Sequence, residues 1–504
     1  MAQRTAANYG KSRQGGAPAA LVCLVVPLDR TAILDRFHRS RARTRALFDL
    51  LDESTYYERP IALRNPIVFY EGHLPAFAVN TLIKKGLGRP GIDEHLETIF
   101  ARGIDPDTEA AAIARGNPAW PSRAEVHDYA VAADSLIADA ITGADLEVAG
   151  HPLLQDAQAL WTIVEHEDMH QETLAYMWHQ LPHALKRKPE HYVTAPPRLR
   201  APGPGLRTAG LRTTIPAGEA TLGTREGFAW DNERPAHTVP VDTFDIDTHN
   251  VTNAEFQEFV DAGGYRDRRW WRDDDWTWLQ EEAVTHPHFW EARSTPNSRS
   301  HASSNSQEAG GGAASALGVG SPGGLGIGSS REWMYRGMFE SVPLPPDWPV
   351  YVTWAEANAY ARWRGRRLPS EPEFHRAAFG TPEGKERHYP WGDALKSRPP
   401  ANFDFVRWDP EPVGAHPDGA SAFGVHDLLG NGWEWTSTVF APFDGFAPIA
   451  SYPEYSADFF DGDHYVMKGA SPVTPRGLVR PGFRNWFRPR YPYVYATCRT
   501  VGRA

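Results

Sequence analysis

The chain changes its sequence pattern once, at a stretch rich in proline and basic residues, and this change limits it to a fold of two unlike parts. Before the stretch, apolar residues recur three and four positions apart, which predicts amphipathic helices. After it, short β-type runs are punctuated by Gly, Asn and Pro. The sequence therefore predicts a helical bundle at 28–190, a linker at 191–206 and a loop-rich α+β domain at 207–504.

Two further segments fit neither domain. Residues 1–27 contain an apolar run of about ten residues, which is shorter than the roughly 20 that cross a bilayer. No small-residue cleavage pattern follows this run, so we expect a disordered leader rather than a signal peptide. Residues 294–330 are rich in Ser, Gly and Ala without periodicity, which predicts a disordered insertion.

The composition excludes several classes of protein. Of 504 residues only two are cysteines, Cys23 and Cys498, which excludes a disulfide scaffold and a cysteine-rich zinc site. So few cysteines are typical of a reducing cytoplasm. The net charge of −11 is spread along the chain, whereas a nucleic-acid-binding face is basic. We expect a cytoplasmic protein that binds neither nucleic acid nor a membrane.

Two histidines have the spacing of metal ligands. His166 and His170 lie one helical turn apart, about 40° around an α-helix, so both imidazoles can reach one ion. The run HEDMH at 166–170 also matches H-E-x-x-H, in which the glutamate is the general base of a zinc hydrolase. The extended form of that motif fails, because Thr173 and Tyr176 stand at its Gly and His positions. A glutamate ligand on a later helix keeps the zinc-hydrolase alternative open.

A third histidine can complete the site. His73 lies among apolar and aromatic residues on an earlier helical segment, and in an antiparallel bundle it could face His166 and His170. Such a face suits zinc and iron equally. Glu172 lies about 200° around the helix from His170, so we expect it to point away from the ion in a structural or ligand-supporting role.

Together with motifs in the second half, these residues resemble a known enzyme family. His73 and the pattern His166-x-x-x-His170-x-Glu172 are similar to the three-histidine iron site in the helical domain of ergothioneine-type sulfoxide synthases and selenoneine synthases. The second half resembles their formylglycine-generating-enzyme-like domain. The segments that carry this second likeness are IPAG at 215–218, FAWDNERP at 228–235, NVTNAEF at 250–256, RLPSEPEF at 367–374, YPWG at 389–392, GNGWEWT at 430–436 and GFRNW at 482–486.

The resemblance implies a fold and a reaction. The fold is a DinB-like four-helix bundle followed by an α+β, loop-rich, formylglycine-generating-enzyme-like (C-type-lectin-like) domain. The reaction joins a sulfur or selenium donor to imidazole C2 of hercynine, the trimethylated betaine of histidine, with Fe(II) and O2. The implied iron ligands are His73, His166 and His170. The implied partners are hercynine, O2 and a selenosugar or thiol donor.

The resemblance also implies substrate-binding residues near the end of the chain. Asn485 and Trp486 match the Asn-Trp pair that contacts hercynine, whose quaternary ammonium is best held by aromatic faces. Trp433 belongs to a block that packs in the core of this fold, and we keep it as a further substrate candidate.

Two positions depart from the family pattern around hercynine. Met169 stands where the mycobacterial-type enzymes have a glutamine that helps to hold hercynine. Phe443 occupies the position where we align their catalytic tyrosine, and it has no phenol. The candidates for the missing tyrosine are Tyr452, Tyr455 and Tyr465.

Two more departures concern the donor. Phe487 and Tyr491 stand where enzymes that use γ-glutamylcysteine carry an acidic residue and an arginine. Aromatic faces suit a sugar ring, whereas donor carboxylates favour bidentate pairing with arginine. The aromatic pair favours a selenosugar donor and hence a selenoneine synthase, while Arg488 and Arg490 keep open cysteine or γ-glutamylcysteine.

Two other functions fit the second domain less well. Formylglycine generators need paired cysteines, whereas only Cys498 lies in this domain, where we expect it to be buried. A catalytically inactive binding module would have no physical reason to retain three histidines at ligand spacing. We therefore expect an oxidoreductase.

Overall fold

A computed structural model describes residues 28–101, 119–190, 192, 210–293 and 332–504. The predicted leader at 1–27 and the predicted insertion at 294–330 lie outside the described residues, as does the predicted linker apart from Tyr192. Within the described ranges, none of the helices combines the length and the apolar character that crossing a membrane requires.

Four long α-helices and one short one lie in the described residues of the first part of the chain. The helices are α1 (Arg30–Asp49), α2 (Ile67–Ala78), the short α3 (Glu94–Ile99), α4 (Arg123–Gly143) and α5 (Gln158–Gln180). A π-helical stretch, Val79–Gly86, continues α2. In this bundle α2 packs against α4, and α1 packs against α5. Helix α2 also contacts α5, so the two helices that carry the three histidines lie side by side in the bundle.

The described residues of the second part form five short α-helices, three of which begin at a capping residue. They are α6 (Asn253–Asp261), α7 (Asp273–Glu281), α8 (Trp354–Trp363), α9 (Glu371–Phe379) and α10 (Glu454–Ala457). Thr252, Thr353 and Ser370 form capping boxes at the starts of α6, α8 and α9, each with a glutamate three residues later. A capping box satisfies two backbone amides that a helix start leaves unpaired.

Twelve short strands form four small sheets in the described residues. The strands are β1 (Arg212–Ile215), β2 (Gly218–Leu222), β3 (His237–Val241), β4 (Phe244–Asp247), β5 (Trp290–Ala292), β6 (Trp333–Arg336), β7 (Ser341–Pro343), β8 (Gly432–Val439), β9 (Tyr465–Ala470), β10 (Asn485–Phe487), β11 (Ala496–Thr497) and β12 (Val501–Arg503). Their orders are β1-β4-β12, β2-β3, β5-β6-β7 and β10-β9-β8-β11. The last sheet carries the GNGWEWT block on β8 and the Asn-Trp pair on β10.

The sequence suggests a terminal strand over 493–499, and the structure shortens it to β11. The strand leaves the sheet at Cys498, whose carbonyl accepts the Val251 amide. Arg499 then turns into the core and pairs with Glu434, both side chains being fully buried. Cys498 is itself fully buried, as expected.

Candidate metal centre and substrate cavity

The bundle brings three histidines together. One ligand nitrogen from each of His73, His166 and His170 lies within 4.8 Å of the others, and we call this set the three-histidine cluster. The Nε2 atoms of His73 and His166 and the Nδ1 atom of His170 are buried without a hydrogen-bond partner among the described residues. Buried polar atoms without a partner are costly. A divalent metal ion bound to such nitrogens removes this cost, so the cluster fits one.

Burial keeps the cluster in the form that binds metals. The Nδ1 atom of His73 lies 2.7 Å from the carbonyl oxygen of Phe100, to which it donates, and this leaves Nε2 with a free lone pair. Burial lowers the pKa of His73 to about 4, and it lowers the pKa values of His166 and His170 well below the ordinary value. The three imidazoles are therefore neutral at neutral pH, as metal ligands must be.

Aromatic rings from α2 hold two of these imidazoles. Phe69 stacks on His73 with ring centroids 4.9 Å apart, and Phe77 stacks on His166 at 3.6 Å. Phe77 also meets Tyr452 edge-on at 5.3 Å. These contacts orient the imidazole rings without adding charge beside the three-histidine cluster.

The glutamate of the H-E-x-x-H pattern faces the opposite side of α5. Glu167 forms an ion pair with Arg41 at 2.8 Å and accepts the Thr44 hydroxyl, so its carboxylate lies against α1. It does not line the cavity beside the cluster. This arrangement contradicts the zinc-hydrolase alternative, in which the glutamate activates a water molecule at the metal.

A cavity of about 290 Å³ opens beside the three-histidine cluster, between α5 and the second domain. His166, His170, Met169, Thr173 and Tyr176 of α5 line it. The second domain contributes loop residues and the strands β8 and β10. Both parts of the chain are therefore needed to form the cavity.

One wall of the cavity is aromatic and lies beside Met169. Trp486, Tyr455 and Phe459 form it, and we call them the Trp486 cluster. The Trp486 ring lies 5.3 Å from Tyr455 and 5.6 Å from Phe459. Tyr455 stacks on Trp230 at 3.9 Å, and its hydroxyl donates to the Met169 sulfur at 3.1 Å. The side chain that replaces the expected glutamine is thus part of this wall.

A second aromatic wall faces another part of the cavity. Phe487 and Tyr491 stack with centroids 5.2 Å apart, and Tyr176 meets each ring edge-on at 6.3 Å. We call these three residues the Tyr491 cluster. Arg64 donates from Nε to the Tyr491 hydroxyl at 3.1 Å. Arg488 also lines the cavity.

Three sequence-predicted site residues lie outside the cavity. Phe443 packs on His237 and under the Arg484 guanidinium, because the loop after β8 carries it away from α5. Arg490 lies 3.7 Å from Asp275, since the turn after β10 directs it outward. For Phe443 and Arg490 the structure therefore contradicts a direct substrate contact.

Tyr465 is the third residue outside the cavity. Its ring stacks on Trp354 at 3.9 Å, and its hydroxyl accepts from Arg272 at 2.7 Å. The hydroxyl therefore faces α7 and α8, which contradicts its candidacy for the missing tyrosine. Tyr452 and Tyr455 both line the cavity, and the Tyr452 ring lies 6.0 Å from His166.

Other predicted residues do line the cavity, together with some that sequence reasoning missed. Trp433, Asn485, Trp486, Phe487, Arg488 and Tyr491 all border it. Among the missed residues, Tyr176 had a signal, because Met169, Thr173 and Tyr176 follow the i, i+4, i+7 spacing of one helix face. Arg64 and Phe459 lie on loops, and no spacing marked them.

Buried carboxylates attach α5 to the second domain. Glu165, the residue before His166, binds Arg480 through two hydrogen bonds of 2.8 and 2.9 Å. Arg480 also bonds Glu233 of the second domain at 2.8 Å. The Trp230 indole donates to Glu165 at 3.0 Å. The helix that carries two of the histidines is therefore fixed from outside the bundle.

Comparison with known proteins matches both parts of the chain. The DinB superfamily matches residues 36–174, and the family described as Sulfatase-modifying factor enzyme 1-like domain matches residues 206–504. Hercynine oxygenase from Mycolicibacterium thermoresistibile is 33% identical over 472 residues, which cover 91% of this chain and 92% of that one.

Two further relatives have similar coverage of this chain. Hercynine oxygenase from Mycobacterium tuberculosis is 32% identical over 471 residues, or 92% of this chain and 96% of that one. Ergothioneine biosynthesis protein 1 from Neurospora crassa is 28% identical over 520 residues, or 90% of this chain and 55% of that one. These matches confirm the expected order of a DinB-like helical part and a formylglycine-generating-enzyme-like domain, and the chain belongs to the hercynine oxygenase family of enzymes.

Proposed function

We propose that this enzyme uses Fe(II) and O2 to join a chalcogen donor to C2 of the hercynine imidazole. The observation that carries the proposal is the three-histidine cluster at the edge of a cavity whose walls are aromatic. Three neutral imidazoles do not offset the double positive charge of Fe(II), and they leave several of its coordination positions open. We place the reaction in the reducing cytoplasm, which keeps thiol and selenol donors reduced.

The proposed reaction balances without a further reductant. The C2–H bond of hercynine and the S–H or Se–H bond of the donor break, and a carbon–chalcogen bond forms. One oxygen atom of O2 stays on the chalcogen as sulfoxide or selenoxide, and the other leaves as water with the two hydrogens. Fe(II), held by the three-histidine cluster, would supply the activation of O2.

The Trp486 cluster is our candidate site for the trimethylammonium group of hercynine. A quaternary ammonium has no N–H to donate, and each aromatic face contributes about 0.5 to 2 kcal/mol to its binding. Asn485 precedes Trp486 on β10 and also lines the cavity, where its amide can bond a carboxylate or imidazole. The Met169 sulfur is a weak acceptor. Asn485 and Tyr455 would therefore provide the polar contacts to hercynine that a glutamine at this position provides in the mycobacterial-type enzymes.

Tyr452 is the proposed proton donor. Its ring lines the cavity, and the ring centroid lies 6.0 Å from that of His166. A phenol at this position can deliver a proton to the oxygen atom that leaves as water, and proton transfer of this kind contributes about 100-fold or more to a rate.

Replacing Tyr452 with phenylalanine is expected to lower product formation about 100-fold while hercynine binding is retained, because only the phenol is lost. Turnover is measured by mass spectrometry and hercynine affinity by tryptophan fluorescence. Tyr465→Phe is the matched control and should keep the wild-type rate. An unchanged rate in the Tyr452 variant would remove it from the mechanism.

For the donor, we propose a selenosugar, so that the enzyme is a selenoneine synthase. The stacked rings of Phe487 and Tyr491 offer an apolar surface for the face of a sugar. Arg488, which also lines the cavity, supports the second candidate, a cysteine or γ-glutamylcysteine donor whose carboxylate it could bind.

A competition experiment tests both the reaction and the donor. The Fe(II)-loaded enzyme receives hercynine and O2 with selenoglucose, cysteine and γ-glutamylcysteine in equal amounts, and the products are read by mass. We expect the hercynyl selenoxide to predominate and Tyr491→Ala to weaken selenoglucose use more than cysteine use. A predominant γ-glutamylcysteine product would refute the selenosugar assignment, and the absence of any hercynine adduct would refute the reaction.

A further inference from the structure

Glu172 connects the last histidine of the cluster with the sheet that borders the cavity. It lies two residues after His170 on α5, and the residue is 9% exposed. Its Oε1 atom accepts from the Trp433 indole at 2.8 Å and from the Ser471 hydroxyl at 2.6 Å. Its Oε2 atom accepts from the Thr474 hydroxyl at 2.8 Å. One carboxylate therefore holds three donors of the second domain.

These donors belong to the framework of the substrate cavity. Trp433 lies on β8 and itself lines the cavity. Ser471 directly follows β9, and β9 pairs with β10 in a register that sets Trp486 opposite Val466. A shift of the sheet relative to α5 would therefore move Asn485 and Trp486 relative to His170.

The hydrogen-bond chemistry makes Glu172 difficult to replace. All three partners donate, so the position needs a side chain that only accepts, and an ionised carboxylate does so. A glutamine has the same shape but presents an NH2 group at the position of Oε2, so the Thr474 hydroxyl would have to accept instead of donate and its present bond to the carboxylate is lost. Hydrogen bonds to a carboxylate are also stronger than those to an amide.

On this basis we propose that Glu172 is a positioning residue that sets the distance between the three-histidine cluster and the hercynine-binding wall. This inference rests on the proposed function, because it assumes that hercynine occupies the Trp486 cluster. Glu172 also borders the cavity, but its carboxylate is bound by Trp433, Ser471 and Thr474, so its proposed action is through Trp433 and the sheet.

The test compares Glu172→Gln with Glu167→Gln. Both substitutions change a buried glutamate on α5 that accepts hydroxyl and other donors, but Glu167 faces α1 within the bundle. For Glu172→Gln we expect a dissociation constant for hercynine about tenfold higher and less product per O2 consumed. Fe(II) affinity should stay within about threefold of wild type, because the ligands are intact. Glu167→Gln should lower thermal stability but keep hercynine affinity and product per O2.

Two further variants change the residues that donate to Glu172, so that the test does not depend on a single substitution. Ser471→Ala and Thr474→Val remove donors to Glu172 and should weaken hercynine binding in the same direction. Combined with Glu172→Gln, Thr474→Val should add little, because both changes remove the bond that the Thr474 hydroxyl donates to residue 172. Hercynine affinity equal to wild type in all three single variants would overturn the inference, as would equal losses in Glu167→Gln. A wild-type enzyme that bound no hercynine would instead refute the proposed function.

Discussion

Replacing His166 with alanine is expected to abolish Fe(II) binding and to lower product formation by at least about 1,000-fold. Residues that only support metal ligands are commonly worth 10- to 100-fold in metal affinity, so loss of a ligand should cost more. His166 lies within 4.8 Å of the other two ligand nitrogens and is held by the stacked Phe77 ring. Two remaining imidazoles would leave the ion weakly bound and free to move.

The measurement is an anaerobic Fe(II) titration followed by turnover with hercynine, donor and O2. His127→Ala is the control, because His127 is exposed on α4 and should leave both quantities unchanged. Circular dichroism of each variant separates metal loss from unfolding. Stoichiometric Fe(II) in a folded His166→Ala protein would contradict the assignment of this residue as a ligand.

How far the sequence could predict this site depends on which element carries each residue. His166 and His170 share one helix, so the fixed rotation per residue determines their relative position. The same rule applies to Met169 and Tyr176, which line the cavity with them. The partnership with His73 does not follow from spacing, because it depends on how α2 packs against α5; the apolar setting of His73 and the family resemblance suggested it.

Predictions on loops were weaker for a physical reason. Phe443 follows β8 in an irregular segment, where one inserted residue changes which side chain reaches the cavity. Arg490 follows β10 in a turn closed by the Tyr491 amide bonding to the Arg488 carbonyl at 3.2 Å. That turn keeps Arg488 and Tyr491 at the cavity and directs Arg490 to Asp275. The direction of side chains in such a turn does not follow from the periodicity of a helix or strand.

The acidic residues of α5 bind both to the helical bundle and to the second domain. Glu167 and Asp168 bind Arg41 and Arg36 of α1, whereas Glu165 and Glu172 bind groups of the second domain. Glu165 and Glu172 are seven residues apart and therefore lie on one face of the helix. The histidines are thus held from two directions, and Glu167, which the H-E-x-x-H pattern had suggested as a catalytic base, makes one of these structural contacts.

The contact between Glu165 and Arg480 is the one whose loss should cost most stability. Arg480 lies between two carboxylates, and the side chains of Glu165 and Glu233 are only 4% and 1% exposed. Removing one partner of a buried pair usually costs about 3 to 5 kcal/mol, because it leaves a buried charge without a counter-ion. Arg480→Met should therefore lower the free energy of unfolding by about 4 kcal/mol at neutral pH.

The pH dependence of this loss gives a sharper test. Burial already raises the pKa of Glu165, and Arg480 opposes that rise, so the variant should raise the pKa further. A carboxyl whose pKa is higher in the folded state stabilises the fold where it is protonated, and this stability is lost as pH rises through the folded pKa. The difference between Arg480→Met and wild type should therefore shrink as the pH falls from about 7 to about 5.

Urea unfolding of the full chain at both pH values measures the effect. Arg43→Met is the matched control, because Arg43 pairs with Asp404 of the second domain while its side chain stays 33% exposed. Such a pair contributes about 1 kcal/mol or less, and we expect the control to show little dependence on pH. Glu165→Gln combined with Arg480→Met should recover part of the stability, because one of the two buried charges left without a counter-ion is then removed. A loss for Arg480→Met no larger than that of the control would show that this buried pair does not hold α5 to the second domain.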